Sequence, residues 1–156
     1  MHINNRAYQF VATSLDNIFD LKDNKIFAGE WCFRDSSEYS KINKSSKLLH
    51  HPWLDTNLCK HDYAYLQKLI DTYSLNISDY LNCYHGTLHS EKYWNILILP
   101  WLTYYLPIHL HKWRLANEAL SINKNLKFCF FEEDIENTPV DYTVDFYQLA
   151  CENDYF

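Results

Sequence analysis

The sequence predicts an α/β fold: a small parallel, Rossmann-like sheet with several amphipathic helices, rich in helix overall. The first observation is that residues 8–28 have the order strand, short helix, strand, which is typical of a βαβ unit. The second is that residues 66–84 carry apolar side chains at steps of three and four, the spacing of one helical face. A chain of 156 residues can close one hydrophobic core, so we predict a single domain over residues 1–156.

Two strands and the helix between them are the first predicted elements. Residues 8–14 have strand composition, and Ser14 is suited to cap the short amphipathic segment 15–20. Residues 25–28 form a second apolar strand, which runs into Gly29. Ligands of parallel sheets bind beyond the carboxyl ends of the strands, so the residues that follow Gly29 are predicted to stand where a ligand would bind.

An irregular connection and a long helix are predicted next. Residues 35–57 are polar and contain a Lys/Ser cluster, which favours a solvated loop. The helical spacing after this loop places one set of residues on a single helical face: Leu66, Leu69, Ile70, Tyr73, Ile77, Tyr80, Leu81 and Tyr84. Gly86 stands where the C-terminal cap of that helix belongs.

The second half of the chain predicts another helix, a strand and a last helix. Ser90 is placed to cap the next helix. Pro100 and Pro107 each remove one backbone hydrogen bond, so we expect this helix to be kinked or broken. Residues 125–131 alternate like a strand, and residues 138–153 are predicted to form the last helix.

Composition and charge argue against several classes of function. The formal net charge of −6 argues against a large nucleic-acid footprint. The chain has two glycines and no glycine-rich motif, so a Rossmann dehydrogenase or a P-loop NTPase is not expected. The charge-free stretch 93–111 contains two prolines and is too weakly hydrophobic to span a bilayer, which leaves at most a peripheral membrane contact.

Cysteine usage bears on the compartment. The five cysteines are an odd set without a Cys-x-x-Cys pair, and no signal peptide opens the chain. This pattern predicts reduced thiols, with Cys32 and Cys129 as small buried side chains. We therefore predict a cytoplasmic protein, or one at the inner face of the membrane.

His85 and His89 are candidate site residues because they are four apart, the spacing at which a helix face can present two imidazoles to one zinc ion. Gly86 threatens that helix, and no third ligand stands at a recognisable spacing, so a zinc-dependent hydrolase is the weakest interpretation. A second interpretation is a polar pocket near Ser90 in which the imidazoles bind a phosphate or a sugar. A third is that His85 only caps its helix while His89 packs against it.

Glu30, Trp31 and Trp53 are the other candidates. Glu30 follows a strand and a glycine, a position typical of general bases and hydroxyl binders in α/β folds, although it could equally cap a neighbouring helix. Trp31 and Trp53 could stack on a sugar or a base, or fill a core.

Three segments carry a family resemblance: KIFAGEWC, then HPWLD followed by DYAYLQKLI, then LNCYHGTLHSEKYWNILILPWLTYY. In wording and order they resemble the opening region of a bacterial transferase family found among surface-polysaccharide and O-antigen biosynthesis genes. The resemblance runs from about Phe10 to the last predicted helix. It implies a two-lobed, glycosyltransferase-like enzyme several times longer than this chain, which would correspond to its N-terminal, acceptor-side lobe.

The resemblance also implies roles for residues. Glu30 or His85 would act as the catalytic base toward an acceptor hydroxyl, with no metal site. The implied substrate-binding residues are Trp31, Trp53, Asp55, Gly86, His89, Tyr93 and Trp94. The expected partners are a glycan or sugar acceptor and a second transferase lobe or a second copy of the chain. No cofactor is expected in this lobe, and a nucleotide-activated sugar is the expected donor.

An alternative of another class stays open. The chain could be a non-catalytic interaction module, whose aromatic face around Trp94, Trp101 and Tyr105 docks on a partner or on a missing second domain.

Overall fold

The computed structural model describes residues 8–13, 24–33, 44–128 and 144. The described strands are β1 (Tyr8–Val11), β2 (Asn24–Phe27), β3 (Lys47–Leu48) and β4 (Leu126–Phe128). The two long helices are α1 (Thr56–His85) and α2 (Glu91–Ile122), and short 3₁₀ turns cover Glu30–Cys32 and Pro52–Leu54. The predicted helix after Ser14, the burial of Cys129 and the last helix apart from Val144 lie outside the described residues.

The four strands form one all-parallel sheet in the order β3-β2-β1-β4. The register pairs Phe10 with Ile26 and with Phe128, and it pairs Phe27 with Leu48. This order is that of the first four strands of a doubly wound Rossmann sheet. The predicted fold class, α/β with a small parallel sheet, is therefore confirmed.

The chain divides into two compact units, and the first contains the sheet. Its described residues are 8–13, 24–33, 44–52 and 112–128. Val11, Ile26 and Phe27 from the strands pack with Leu115 and Ala119 from the last turns of α2. These two α2 residues are four apart, so they lie on the same helical face and cover the sheet.

The second unit contains α1 and the part of α2 up to His111. The predicted loop over residues 35–57 is wrong at its end, because β3 and the start of α1 lie within it. Asp55 caps α1: its Oδ1 accepts hydrogen bonds from the backbone N–H groups of Asn57 (2.8 Å) and Leu58 (3.3 Å). The first turns of α1 are mostly exposed and polar, so they carry no apolar period that would have shown their helical structure.

The buried line along α1 differs from the predicted face. The buried residues follow steps of four: Asp62, Leu66, Ile70, Ser74 and Ser78. Each step of four advances about 400°, so the buried line moves around the helix by about 40° per step. Of the residues on the predicted face, Leu66 and Ile70 are buried, whereas Tyr73, Tyr80 and Tyr84 are 44%, 64% and 72% exposed.

Helix α2 is one helix through both prolines. Of the two predicted forms, kinked or broken, the broken one is therefore wrong, and the helix continues as one element past both prolines. Each proline removes only one backbone donor, and in a helix of 32 residues the remaining bonds continue on either side. No helix within the described residues is long and apolar enough to cross a membrane.

Candidate functional site

The connection between α1 and α2 is a tight, hydrogen-bonded turn. Gly86 has φ 62° and ψ 34°, the left-handed conformation that glycine adopts at helix ends. Its N–H donates to the carbonyl of Cys83 (3.4 Å), and the N–H of Thr87 donates to the carbonyl of Asn82 (2.9 Å). This is the Schellman pattern, and it confirms the predicted cap at Gly86.

Asn82 organises this turn through its side chain. Its Oδ1 accepts hydrogen bonds from the Nε1–H of Trp94 (2.9 Å), the backbone N–H of His89 (2.9 Å) and the hydroxyl of Thr87 (3.1 Å). Its Nδ2 donates to the carbonyl of His89 (2.9 Å). One amide therefore fixes the chain after α1 and the indole of α2. Asn82 is not among the site residues that the sequence predicts. The available signal was its position four residues after Ser78, on the continuation of the buried line.

The rings around this amide form an exposed group, which we call the turn cluster: Tyr84, His85, His89, Tyr93 and Trp94. Trp94 is the buried centre, 7% exposed, and both imidazoles lie against it. The centroid of the His85 ring is 5.9 Å from that of Trp94 in a stacked arrangement, and the His89 ring meets Trp94 edge-on at 5.7 Å.

The outer rings of the turn cluster face solvent. His89 stacks on Tyr93 at 4.1 Å, and Tyr84 meets His85 edge-on at 5.0 Å. Tyr93 is 46% exposed and Tyr84 72%, and both histidines are exposed. The cluster thus presents aromatic faces together with imidazole nitrogens and phenolic hydroxyls, groups that can contact apolar faces and hydrogen-bond hydroxyls.

The start of α2 bears on which ligand this surface suits. The hydroxyl of Ser90 accepts a hydrogen bond from the N–H of Tyr93 (3.3 Å), as the predicted cap requires. Glu91 lies in the first turn of α2 and places a negative charge there. The carboxylate of Glu91 opposes a phosphate at this point, and the adjacent Lys92 offsets its charge, so the first turn of α2 carries no net side-chain charge that would select an anion.

Beside the first turns of α2 lies a depression of ≈ 520 Å³. Its lining residues are Glu91, Lys92, Asn95, Ile96 and Leu99. The Oδ1 of Asn95 is buried and accepts no hydrogen bond, while its Nδ2 donates to Glu91 at 3.4 Å. A buried amide oxygen without a donor is energetically unfavourable.

Trp53 and Asp55 lie at the other end of α1. A helix of 30 residues is about 45 Å long, so these two residues and the turn cluster do not line one pocket. Trp53 is half-buried, and its Nε1–H donates to the carboxylate of Asp62 at 3.1 Å. Its ring also meets the ring of His111 at 5.6 Å. The structure thus gives Trp53 and Asp55 roles in anchoring and capping α1.

Asp62 is a second residue that the sequence analysis missed. Its carboxylate is fully buried, and besides Trp53 it has the Nδ1 of His61 at 3.3 Å. An ionisable side chain is kept in such a place only with hydrogen-bond partners. The signal was its position four residues before Leu66, on the line that continues to Ile70.

Glu30 and Trp31 belong to the first unit, at the carboxyl end of β2, as predicted. The turn that carries them is held by the carbonyl of Val11 at the end of β1, which accepts hydrogen bonds from the N–H of Ala28 (2.8 Å) and the thiol of Cys32 (3.3 Å). Both side chains are exposed, Trp31 by 47%. A Cβ on Gly29 would overlap the Trp31 ring, so glycine is needed for the ring to lie against the backbone.

The described residues contain no group of three or more His, Cys, Asp or Glu side chains that could hold a metal ion. The spacing of His85 and His89 does not place them on one helical face, because α1 ends at His85. They contact Trp94 in two different geometries instead.

Comparison with known proteins gives one result. The family model described as LIC12162 family transferase matches residues 8–156 of this chain. No curated protein and no solved structure matches it.

Proposed function

Because the chain belongs to the LIC12162 transferase family, we propose that it is the acceptor-side part of a sugar transferase in bacterial surface-polysaccharide biosynthesis. The turn cluster is the observation that carries this proposal. It combines exposed ring faces on Tyr84 and Tyr93 with two exposed imidazoles around a buried tryptophan. Sugars offer both an apolar C–H face and a rim of hydroxyls, which such a surface can bind.

His85 and Glu30 are the two candidate bases in this proposal. In the transfer step the base takes the proton of an acceptor hydroxyl, and the hydroxyl oxygen forms a bond to the anomeric carbon of a nucleotide-activated sugar. The bond from that carbon to the phosphate oxygen breaks, and the nucleoside diphosphate leaves with the electron pair. His85 is exposed beside Trp94, and Glu30 is exposed beyond the carboxyl end of β2, so both side chains are accessible to a substrate.

The donor is proposed to bind elsewhere. The chain has two glycines: Gly86 closes α1, and Gly29 accommodates the Trp31 ring. Neither belongs to a glycine-rich phosphate cradle of the kind that often binds nucleotide diphosphates. A second transferase lobe is therefore proposed as the partner that supplies the activated sugar.

Ligand-detected NMR of the chain with neutral surface-glycan fragments tests the acceptor role. We expect His85→Ala and Tyr93→Ala to weaken binding, since each removes an exposed ring of the turn cluster. His50→Ala and Tyr63→Ala are the matched controls, because both replace exposed rings away from the cluster. Circular dichroism of every variant checks that the fold is retained.

Two results would contradict the proposal. Wild-type glycan affinity in both cluster variants would remove the turn cluster as the acceptor site. Binding of a nucleotide sugar with no glycan binding would place the donor on this chain instead. In a preparation that includes the proposed second lobe, Glu30→Gln separates the two candidate bases: loss of turnover with glycan affinity retained would assign the base to Glu30.

A protein-interaction module is the second candidate function, with a second copy of this chain as the partner. It is favoured by aliphatic side chains around the start of α2: Leu88 is fully exposed, Ile96 69% and Leu97 57%. The face proposed from the sequence is less suitable, because Trp94 is buried. Sedimentation velocity over a range of concentrations tests this alternative, and association that Leu97→Glu abolishes would support it.

A further inference from the structure

We infer that the acceptor is an extended, uncharged oligosaccharide that runs along α1 over Tyr73, Tyr80 and Tyr84. We call these three residues the tyrosine stripe. The inference rests on the proposed function, since it takes the turn cluster as the place where the acceptor chain ends. It goes further by naming a binding surface along the helix and the length and charge of the ligand.

The three tyrosines lie in one row along α1. Tyr73 and Tyr80 are seven residues apart and Tyr80 and Tyr84 four apart, so all three lie on one side of α1. Their Cα atoms span about 16 Å along the axis, which is longer than one sugar ring. The side chains are 44%, 64% and 72% exposed, and their exposure rises toward the turn.

The row is continuous with the turn cluster. Tyr80 and Tyr84 stack with ring centroids 6.0 Å apart and an angle of 18° between their planes. Tyr84 in turn meets His85 edge-on at 5.0 Å. Ring contacts therefore connect Tyr80 and Tyr84 to the imidazole that is proposed as a base, and a glycan on the stripe would lead its end to that residue.

The side of α1 that carries the stripe is uncharged. Lys68, Asp71 and Asp79 are the charged residues of α1 between Leu66 and His85, and their helical positions lie about 120° or more from Tyr73. Thr72 and Asn76 flank the stripe and are exposed, so hydroxyl and amide groups border the rings. A nucleic acid would need basic residues here, whereas a neutral polyhydroxyl chain finds ring faces and hydrogen-bonding groups.

The stripe also differs from the surface that a protein partner would use. The row has no strongly exposed aliphatic side chain, because Ile77, which lies between the tyrosines, is half-buried. Leu88, Ile96 and Leu97 are exposed in the turn and on the second long helix, and the exposed Leu75 of α1 lies about 160° around the helix from Tyr73. The stripe thus offers rigid rings with hydroxyl groups, which favours a carbohydrate over an apolar protein surface.

The test is a length series of neutral oligosaccharides, from monosaccharide to octasaccharide, drawn from an array of bacterial surface glycans. We expect affinity to rise with length until the stripe is covered. Tyr73→Ala and Tyr80→Ala should each weaken binding of the longer fragments by about two- to tenfold and leave disaccharide binding unchanged. Tyr63→Ala, an equally exposed tyrosine of α1 outside the stripe, should have no effect.

The outcomes separate this inference from the function on which it rests. If disaccharides bind in a manner that depends on His85 but longer fragments bind no more tightly, the stripe is refuted and the acceptor role stands. If Tyr73→Ala leaves the affinity for long fragments unchanged, the stripe is also refuted. If no fragment of any length binds, both proposals fail. If Tyr73→Ala or Tyr80→Ala changes the sedimentation coefficient of the protein but not its affinity for glycans, the stripe is a protein interface and the inference is overturned.

Discussion

Replacing Asn82 by alanine should destabilise the α1–α2 turn more than any single exposed position of α1. The side chain makes four hydrogen bonds, to Trp94, to Thr87 and to both backbone groups of His89. Alanine makes none of them. The largest loss is at Trp94, because its indole N–H is in a side chain that is only 7% exposed and water cannot easily replace the acceptor.

The size of the effect follows from these contacts. A buried donor left without an acceptor costs about 1–3 kcal/mol. His89 is exposed, so water can replace its two bonds, and each then contributes roughly 0.5 kcal/mol. We therefore expect Asn82→Ala to lower the free energy of unfolding by about 2–4 kcal/mol.

Urea unfolding followed by circular dichroism measures this loss. The matched control is Asn76→Ala, which makes the same replacement at an exposed position of the same helix. It should leave stability within about 0.5 kcal/mol of wild type. A double-mutant cycle with Trp94→Phe isolates the central bond, since phenylalanine keeps a ring but has no N–H. Equal midpoints for Asn82→Ala and Asn76→Ala, or a coupling energy near zero in the cycle, would refute this reasoning.

Two further predictions concern single residues. Gly86→Ala should lower the free energy of unfolding by about 1–2 kcal/mol, because alanine must adopt the left-handed conformation; no neighbour lies within 4 Å of the new Cβ to add a clash. Gly86→Asn should lower it less. Equal melting temperatures for the wild type and both variants would contradict this prediction. Burial raises the pKa of Cys32 above its ordinary value of 9.0. Above that pH the unfolded thiol ionises while the folded one stays protonated, so stability falls as pH rises. The wild type should therefore lose stability between neutral pH and pH 10 more steeply than Cys32→Ala, and parallel pH profiles would count against a protonated, buried thiol.

The features that the sequence predicted correctly depend on short-range signals. Gly86 and Ser90 stand at helix ends, where one residue allows the backbone groups of the adjacent turn to form hydrogen bonds. Both have the predicted capping roles. The strands at Tyr8–Val11 and Asn24–Phe27 each end in two apolar residues, and the parallel pairing of β1 with β2 is what the predicted βαβ pattern requires. Which side chains are buried against elements that are distant in sequence cannot be read from such short segments.

The candidate site shows the same limit. The predicted residues His85, His89, Tyr93 and Trp94 come together, because the turn between the helices is short and the pattern there is local. Trp53 was predicted for the same substrate, but 30 residues of helix separate it from them. The distance between Trp53 and the turn cluster depends on the length of α1, which cannot be known until the first residue of the helix is known. That first residue is set by one capping side chain, Asp55.

The buried line of α1 links the fold to the proposed function. If the buried residues had followed the average helical period of about 3.6 residues, a single face would be buried from Leu66 to the end of α1. Tyr73, Tyr80 and Tyr84 lie on that face and would then be buried. With strict steps of four, the buried line instead reaches Ser74 and Ser78, at 3% and 2% exposure, while the side of Tyr80 turns outward. The hydroxyl of Ser78 donates to the carbonyl of Ser74 at 2.7 Å, so these small polar residues are satisfied within the helix. Small side chains inside and large rings outside are the reverse of what core stability alone would select. That arrangement is the one that the proposed glycan-binding surface on α1 requires.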